Sequence, residues 1–367
     1  MDGLKMEYFT YLTNDCNLHC QYCSVLIDCH KNNLPIRPTY AFDDYLTFIE
    51  KTQNATNDNE INIYFFGGEP SLEYGLAFQF AELVTKKFEG KYKLCFILHT
   101  NGLLLGEIPE KLLNKLSLVL FSINYEKIPK YNLACSYFQT IIDNTVSIKL
   151  QKNIPIIARL TITEDTSLYT EIMQINHFFD LIYWQIENRV TFKNFDIFYK
   201  TYTYEIQLLY GIWLKYLESG ILLKFVPFMA ILKFMFFHDR SDNMFSCGYG
   251  RGMIYIQTNG DCFACSDNIE DGDHYIGTLK TGIKFGNDTL DKFRCKGCQY
   301  RSLCMGRCGR MHIEFDDKHI SEYCRLNQYM FDLFISDKER LSKVLDNYVY
   351  YKKELSNNLL EYTEFTP

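Results

Sequence analysis

Short apolar runs alternate with helical stretches along the first half of the chain. Six of the runs are rich in β-branched and aromatic residues and are bounded by turn or helical residues, which predicts buried strands. These runs lie at residues 6–12, 61–66, 94–99, 118–123, 156–163 and 183–187. Helical periodicity separates them, for example at 42–52 and 77–88. The alternation predicts parallel βαβ units with right-handed crossovers.

The second half of the chain has a different pattern. Residues 193–238 are predicted to be mainly helical, residues 247–324 are dense in cysteine with little periodicity, and residues 326–355 form a helical tail. We therefore predict an α/β fold: a partial (β/α)6 TIM-like barrel, then a small Cys-rich domain and a C-terminal helix. The predicted boundaries are 1–238, 239–325 and 326–367. In such a barrel the chemistry lies at the C-terminal ends of the strands.

The most apolar stretch, residues 220–237, raises the question of a membrane span. It contains Lys224, Pro227 and Lys233, and a bilayer-centred helix would bury the two charges at high cost. A core or substrate-facing helix is the better prediction, and no membrane partner is expected.

Composition narrows the class of protein further. The net charge of −7 lacks the basic footprint of a nucleic-acid partner, and 47% apolar residues can supply a substantial core. The chain has no signal-peptide apolar region. Its 14 cysteines therefore predict metal ligands rather than disulfides, in a reducing cytoplasm.

Three of these cysteines follow the first strand as Cys-x3-Cys-x2-Cys: Cys16, Cys20 and Cys23. Three thiolates at this spacing can hold three irons of a 4Fe–4S cubane, which leaves the fourth iron open to a small molecule. After the second strand comes Gly-Gly-Glu-Pro at residues 67–70. Its glycines would let the backbone approach a ligand, and its carboxylate can accept hydrogen bonds from an ammonium group.

Together these features resemble the radical S-adenosylmethionine (radical SAM) superfamily. The resemblance implies that Gly67, Gly68 and Glu69 hold the methionine end of SAM. It also places Tyr22 against the adenine, Ser122 and Asn124 near the ribose, and Arg159 where a cation can pair with the SAM carboxylate. Asn124 replaces the family's usual Asp, and a structural role competes for Arg159. Residues 99–102, Gln185 and Glu187 also end predicted strands.

A second cysteine pattern lies near the C-terminus. It reads Cys-x2-Cys-x5-Cys-x3-Cys, with two cysteines upstream and one downstream, and it resembles the SPASM domain of radical SAM peptide-modifying enzymes. The resemblance implies an outer 4Fe–4S cluster on Cys295, Cys298, Cys304 and Cys324. It implies an inner 4Fe–4S cluster on Cys247, Cys265 and Cys308.

The fourth ligand of the inner cluster is open. Relatives that mature sulfatases carry a Cys six residues after the first, where this chain has Met253. Cys262 is the substitute we predict, and if it points away, the inner cluster keeps an open iron. Zinc is the alternative for the C-terminal cysteines, because close Cys pairs are common in zinc sites.

The resemblance implies three 4Fe–4S clusters, SAM and a carbon radical generated on the substrate. SPASM relatives act on peptides or proteins, so a ribosomally made precursor peptide, joined by a thioether, C–C or cyclophane crosslink, is the first substrate expected. A flavodoxin- or ferredoxin-like reductant is expected as well. The 15 residues before Cys16 are expected to be too few to form a leader-binding domain. Leader recognition is therefore expected to use a separate leader-binding protein, or the barrel, the Cys-rich region or the C-terminal tail.

Two other functions stay open at this point. The first is a sulfatase-type maturase that makes formylglycine. That subfamily places an Asp directly after the equivalent of Cys265, whereas this chain has Ser266 and then Asp267. Asp267 is thus a candidate general base, with a local turn carboxylate as the alternative. The second is a non-enzymatic iron–sulfur electron carrier.

Overall fold

The structure is a computed structural model, and it describes residues 5–20, 23, 25, 33–56, 58–123, 134–187, 192–237, 245–267, 274–286, 292–356, 358–363 and 366–367. The chain packs into two compact units. The first comprises Met1–Ile156 and Gly248–Asn287, and the second comprises Ile157–Cys247 and Asp288–Pro367. The domain boundaries at 238 and 325 stay predictions.

All six predicted barrel strands are present, and four short strands follow them. The strands are β1 (Glu7–Thr13), β2 (Glu60–Gly67), β3 (Lys93–Thr100), β4 (Leu118–Ile123), β5 (Ile156–Ile162), β6 (Leu181–Ile186), β7 (Met253–Ile256), β8 (Asp261–Phe263), β9 (Tyr275–Thr278) and β10 (Gly282–Ile283). The ends agree with the predicted ones to within two residues, and those of β4 are identical. The mixed α/β class with a parallel sheet is confirmed.

The described helices separate the strands and form most of the C-terminal part. They are α1 (Phe42–Asn54), α2 (Tyr74–Phe88), α3 (Glu110–Leu113), α4 (Ala134–Gln151), α5 (Leu168–Ile175), α6 (Phe195–Glu218), α7 (Val226–Phe237), α8 (Arg301–Cys304), α9 (Gly309–Glu314), α10 (Asp317–Ser336), α11 (Lys338–Asn347) and α12 (Tyr350–Leu355). Short 3-10 turns occupy Pro70–Glu73, Leu105–Glu107, Arg294–Gly297 and Asn358–Tyr362.

The first unit is built on a sheet in the order β10-β9-β8-β7-β1-β2-β3-β4. Strand β1 pairs in parallel with both β2 and β7, and β2 with β3 and β3 with β4 continue the parallel part. Strands β7 to β10 are antiparallel, so the Cys-dense region carries strands that its weak periodicity did not predict. The parallel strands are buried on both faces, which explains why they appear in the sequence as continuous apolar runs.

Alternate side chains of β1 lie on opposite faces of this sheet. On one face the Thr10 hydroxyl lies 2.7 Å from the hydroxyl of Tyr45 on α1. On the other face Phe9 stacks between Tyr64 and Tyr255, with ring centroids 4.1 and 4.5 Å away. The helix-covered face and the aromatic face are therefore set by the two-residue period of the strand.

The second unit contains the parallel pair β5–β6 and most of the long helices. The apolar stretch forms α7, whose Phe228 is fully buried against Trp213 of α6 and Phe334 of α10, with ring centroids 5.7 Å away in each case. The prediction of a core helix is thus confirmed. No helix in the described part of the chain has both the length and the apolar character that crossing a bilayer requires.

Backbone pairing between β1 and β2 continues past the strands into the two loops that follow. The amide of Gly68 donates to the Thr13 carbonyl and the amide of Glu69 donates to the Asp15 carbonyl, both at 2.8 Å. A Cβ on Gly67 would lie 2.2 Å from the Thr13 oxygen, and one on Gly68 would lie 2.0 Å from the Asp15 oxygen. The close approach of the cysteine-loop backbone therefore requires glycine at these two positions, in addition to any requirement from a ligand.

We expect Gly68→Ala to destabilise the first unit by about 1–3 kcal/mol, because the added methyl group must push two hydrogen-bonded loops apart. Gly75→Ala is the matched control: a Cβ there meets nothing within 4 Å, and the residue lies in helix α2. Ala should raise stability at Gly75 by up to about 1 kcal/mol. Urea unfolding followed by circular dichroism measures both, and equal effects at the two sites would contradict this explanation of the Gly68 backbone.

Candidate functional site

The loop that follows β1 carries the first three cysteines, and the rest of the first unit holds it in place. Asn14 donates from its amide to the Pro35 carbonyl and to the Thr258 hydroxyl, both at 2.8 Å. Asn17 accepts a 2.7 Å hydrogen bond from the Asn101 side chain at the end of β3. The loop is thus fixed on both sides before any ligand is considered.

The thiols of this loop lie close to one another and to a buried carboxylate. Burial raises the pKa of the Cys16 thiol to about 12, and the Leu18 amide, which donates to its Sγ at 3.4 Å, opposes that change. Negative charge on Glu69, Cys23 and Cys20 is part of the cause of this raised pKa. Thiols arranged in this way stay protonated alone but suit a metal cluster, which displaces the protons. The predicted set Cys16, Cys20 and Cys23 fits such a group.

Glu69 is almost fully buried at the carboxyl end of β2, and the protein holds both of its oxygens. Oε1 accepts from the Ser71 amide at 2.9 Å and from the Thr100 hydroxyl at 2.6 Å. Oε2 accepts from the Asn101 amide at 2.8 Å. Burial raises the pKa of Glu69, and these three hydrogen bonds oppose it. A carboxylate offers about four acceptor positions, so Glu69 is a rigid acceptor with capacity left for a cationic ligand.

The carboxyl end of β4 meets that of β3 beside this carboxylate. The Ser122 hydroxyl lies 3.0 Å from Nε2 of His99, and the His99 ring lies 5.1 Å from the Phe66 ring. Ser122 therefore belongs to the strand-end group that the sequence predicts. Tyr22 and Asn124, predicted to contact adenine and ribose, lie outside the described residues.

The predicted cation on β5 has a neutral partner in the second unit. Arg159 donates from Nε to Oε1 of Gln185 on β6 at 2.8 Å. The backbone carbonyl of Glu187 accepts from the Tyr323 hydroxyl. The pairing of Arg159 fixes its side chain on β6, and its contact with a SAM carboxylate stays a prediction.

Four cysteines of the second unit line one cavity that is partly open to solvent. They come from a 3-10 turn, a loop, the end of α8 and the first half of α10: Cys295, Cys298, Cys304 and Cys324. The pKa of Cys295 is raised to about 11, mainly by burial and then by the negative charges of Cys324 and Cys298. Tertiary structure thus brings together the set predicted for the outer cluster, and these thiols fit such a group.

The set predicted for the inner cluster is divided between the two units. In the second, the Cys247 amide donates to the Arg307 carbonyl at 3.1 Å, which brings Cys247 next to Cys308 in the backbone. In the first, Cys262 is fully buried on β8 with its Sγ 3.9 Å from the Gly260 carbonyl, and Cys265 follows, half-buried. The Cys262 ligand role stays a prediction.

Asp267 is hydrogen-bonded to its neighbour, and the described residues form no site for a single metal ion. Asp267 accepts a 3.4 Å hydrogen bond from its neighbour Ser266, as the turn alternative expects. Across the residues that the structure describes, no three His, Cys, Asp or Glu side chains converge on a position for a single metal ion. The cluster assignments therefore rest on the resemblance and on the shared cysteine cavity.

The structure adds residues whose role at the site the sequence did not indicate. Tyr137 of α4 donates to the Asn101 carbonyl at 3.1 Å, and its pKa is raised by burial and then by Cys20, Glu69 and Cys16. Gln257, directly after β7, is fully buried, and neither the nitrogen nor the oxygen of its side-chain amide has a hydrogen-bond partner. No local motif marks either residue, because packing alone brings them to the strand ends.

Comparisons with known proteins agree with this geometry. Residues 10–136 match the family model of the Radical SAM superfamily. No curated protein matches the chain in a sequence search. The solved structure of native anSMEcpe with bound AdoMet has a TM-score of 0.67 and 18% identity, and the match covers 93% of this chain and 99% of that chain. Native anSMEcpe with bound AdoMet and Cp18Cys peptide has a TM-score of 0.65 and 17% identity over 93% and 99%. At this identity the likeness shows a shared fold.

We expect Thr100→Val to lower the free energy of unfolding by roughly 1–3 kcal/mol, because a buried carboxylate loses one of its three donors. The same change removes the acceptor of the Gly102 amide, which lies 3.0 Å from the Thr100 hydroxyl. Thr100→Ser keeps the hydroxyl and should retain most of the stability. Urea titrations compare the variants, and a Val variant as stable as the Ser variant would show that this hydroxyl does not hold Glu69.

Proposed function

We propose that this chain is a radical SAM enzyme that oxidises a peptide with SAM as its radical source, because residues 10–136 match the Radical SAM superfamily. The observation that carries the proposal is the placement of three thiols beside a buried, fully oriented carboxylate at the carboxyl ends of β1 and β2. The alternative of a non-enzymatic electron carrier is not retained, since it gives no reason for this site.

In this proposal Cys16, Cys20 and Cys23 hold a 4Fe–4S cluster, and Glu69 accepts hydrogen bonds from the SAM ammonium group. When bound to Cys16, Cys20 and Cys23, the reduced cluster would supply the electron that cleaves SAM and releases methionine. SAM would supply the 5′-deoxyadenosyl group that removes a hydrogen atom from a substrate carbon and becomes 5′-deoxyadenosine. Hydrogen bonds from Thr100, Ser71 and Asn101 prevent rotation of the Glu69 carboxylate. Glu69, held in this way, would orient the ammonium group of the ligand.

The SPASM resemblance supports two auxiliary 4Fe–4S clusters, an outer one on the four cysteines of the shared cavity and an inner one on Cys247, Cys265 and Cys308, with Cys262 as the candidate fourth ligand. Their chemistry would be to accept the electron that the substrate radical must lose when a new bond closes. Four thiols that line one cavity support the outer cluster.

A precursor peptide that acquires a thioether, C–C or cyclophane crosslink is the substrate and product we propose first. Closing such a bond removes two hydrogen atoms: one goes to 5′-deoxyadenosine, and the other leaves as a proton and an electron. Native anSMEcpe has been solved with Cp18Cys and Kp18Cys peptides, which supports a peptidyl substrate for a chain of the same fold. The leader-binding protein, the flavodoxin- or ferredoxin-like reductant and the cytoplasmic location remain predictions.

The second candidate is oxidation of a Cys or Ser residue to formylglycine. It is favoured by the fold match to anSMEcpe, an anaerobic sulfatase-maturating enzyme. Ser266 argues against it, because it stands where that subfamily has a proton-accepting Asp. In this chain Asp267 would have to take that role, although it is engaged with Ser266.

The function is tested by incubating the anaerobically reconstituted protein with SAM, dithionite and precursor peptides encoded beside its gene. We expect 5′-deoxyadenosine and a peptide about 2 Da lighter, the loss of two hydrogens from one crosslink. A sulfatase-type peptide converted instead would establish the second candidate. The Cys16→Ala, Cys20→Ala and Cys23→Ala triple variant is the control; it should keep auxiliary iron without cleaving SAM, and cleavage by it would refute the cofactor assignment.

A separate prediction concerns the outer cluster. Cys324→Ala should lower the iron content and stop formation of the modified peptide, because one ligand of the shared cavity is lost, while SAM cleavage without peptide modification continues. Iron analysis and peptide mass spectrometry measure both effects. Cys95→Ala is the matched control, since Cys95 is a buried thiol on β3 outside all three predicted cluster sets. Normal peptide turnover by the Cys324 variant would remove the outer cluster from the reaction.

A further inference from the structure

The segment between the outer ligand Cys304 and the inner ligand Cys308 has an unusual backbone. Its three residues, Met305, Gly306 and Arg307, all have positive φ, at 50°, 68° and 58°. Only glycine adopts this left-handed region without a steric penalty. An arginine at such a position is therefore held there by its side-chain contacts, which must outweigh the local strain.

The Arg307 side chain is buried and has a partner for each of its nitrogens. Nε donates to the Pro367 oxygen at 2.5 Å, Nη2 donates to the Ile186 carbonyl at 2.6 Å, and Nη1 lies 3.4 Å from the Met311 sulfur. The guanidinium also stacks 4.7 Å from the Tyr323 ring centre. Arginine keeps its charge in such surroundings, because its guanidinium does not lose a proton in proteins.

This fixed cation lies among the thiols of the outer set. Arg307, Met311 and Tyr323 line the same cavity as the four cysteines. Burial raises the pKa of both Cys304 and Cys324, and the Arg307 charge acts in the opposite direction on each thiol. The Arg294 charge lowers the pKa of Cys324 more than Arg307 does, whereas Arg307 acts on both thiols. The guanidinium is therefore close enough to act on charge located at these sulfurs.

The backbone of the same residue joins the two predicted ligand sets. The Arg307 amide donates to the Cys304 carbonyl at 3.2 Å, and its carbonyl accepts from the Cys247 amide at 3.1 Å. A shift of Arg307 would thus move one ligand segment of each set. The contacts that fix the side chain also keep this connection in place.

We propose that Arg307 is a buried counter-charge that raises the reduction potential of the outer cluster. The proposal rests on the proposed function, which assigns that cluster to Cys295, Cys298, Cys304 and Cys324. Reduction adds one negative charge to a thiolate-bound cluster, and a nearby cation stabilises the reduced form. Because the guanidinium is shielded from solvent, its charge is screened far less than that of a surface arginine. A higher potential makes the outer cluster a better acceptor for the electron released by the substrate radical.

Arg294 provides the matched control. It adjoins Cys295 in sequence, but its side chain is 40% exposed and lies 3.4 Å from the Asp317 carboxylate. Solvent and the carboxylate screen this charge. Arg294→Gln removes one positive charge near the same cluster, as Arg307→Gln does, and the two variants differ in burial.

The experiment is a potentiometric titration of the auxiliary clusters followed by electron paramagnetic resonance. The Cys16→Ala, Cys20→Ala, Cys23→Ala background removes the SAM cluster signal, and Cys324→Ala in that background identifies the outer signal. We expect Arg307→Gly to shift the outer midpoint potential to a more negative value and Arg307→Lys to restore part of it. Arg294→Gln should shift the potential by less than Arg307→Gln does, because solvent and the Asp317 carboxylate screen the Arg294 charge. Glycine suits the left-handed backbone, so the Arg307→Gly change removes the charge and relieves strain.

The outcomes separate this proposal from the one on which it rests. An unchanged outer potential in Arg307→Gly, with full iron content, would overturn the counter-charge role and leave the cluster assignment intact. A parent protein without the outer signal would overturn the cluster assignment, and this proposal with it. If Arg307→Gly loses the cluster, Arg307→Gln supplies the same comparison, and a potential equal to that of Arg294→Gln would refute the proposal.

Discussion

The site depends on parallel backbone pairing that does not stop where β1 and β2 end. Two further hydrogen bonds, from Gly68 to Thr13 and from Glu69 to Asp15, hold the glycine loop against the cysteine loop. This contact sets the distance between the thiols and the carboxylate, because both follow directly from the paired segments. A side chain at either glycine would fill the space that the pairing occupies. The arrangement of the proposed SAM site is thus decided by main-chain geometry before any side chain contributes.

Each unit contains a buried charged side chain that is stabilised by polar or aromatic partners: Glu69 in the first unit and Arg307 in the second. Glu69 would be costly to bury alone, and three donors from the ends of β2 and β3 compensate for its lost hydration. Arg307 is buried with carbonyl, thioether and aromatic partners. Each group is consequently fixed in one orientation, which a residue that must act on a ligand or a cluster requires.

The strand assignments followed from the sequence because parallel strands are apolar on both faces and their signal is strong. The antiparallel strands β7 to β10 were not predicted, since they are two to four residues long and leave little periodicity. The structure adds a second reason for Gly67 and Gly68, and their contact with a ligand stays a prediction. A Cβ at either residue would meet the carbonyl of Thr13 or Asp15, and only the pairing of the two loops reveals that.

By itself the sequence indicated the chemistry that we propose for this protein: the cysteine spacing predicts a cluster ligand set, and the Gly-Gly-Glu-Pro turn after a strand predicts the residues that bind SAM. These signals lie within short segments of the chain, so they can be recognised without the tertiary structure. Tertiary structure alone decided which groups surround them. Thr100 and Asn101 meet Glu69, and Tyr137 meets Asn101, because strand and helix ends converge. Pro367 meets Arg307 across 60 positions of chain. Contacts of that range are selected by packing and by the need to satisfy buried polar groups, and no short pattern encodes either.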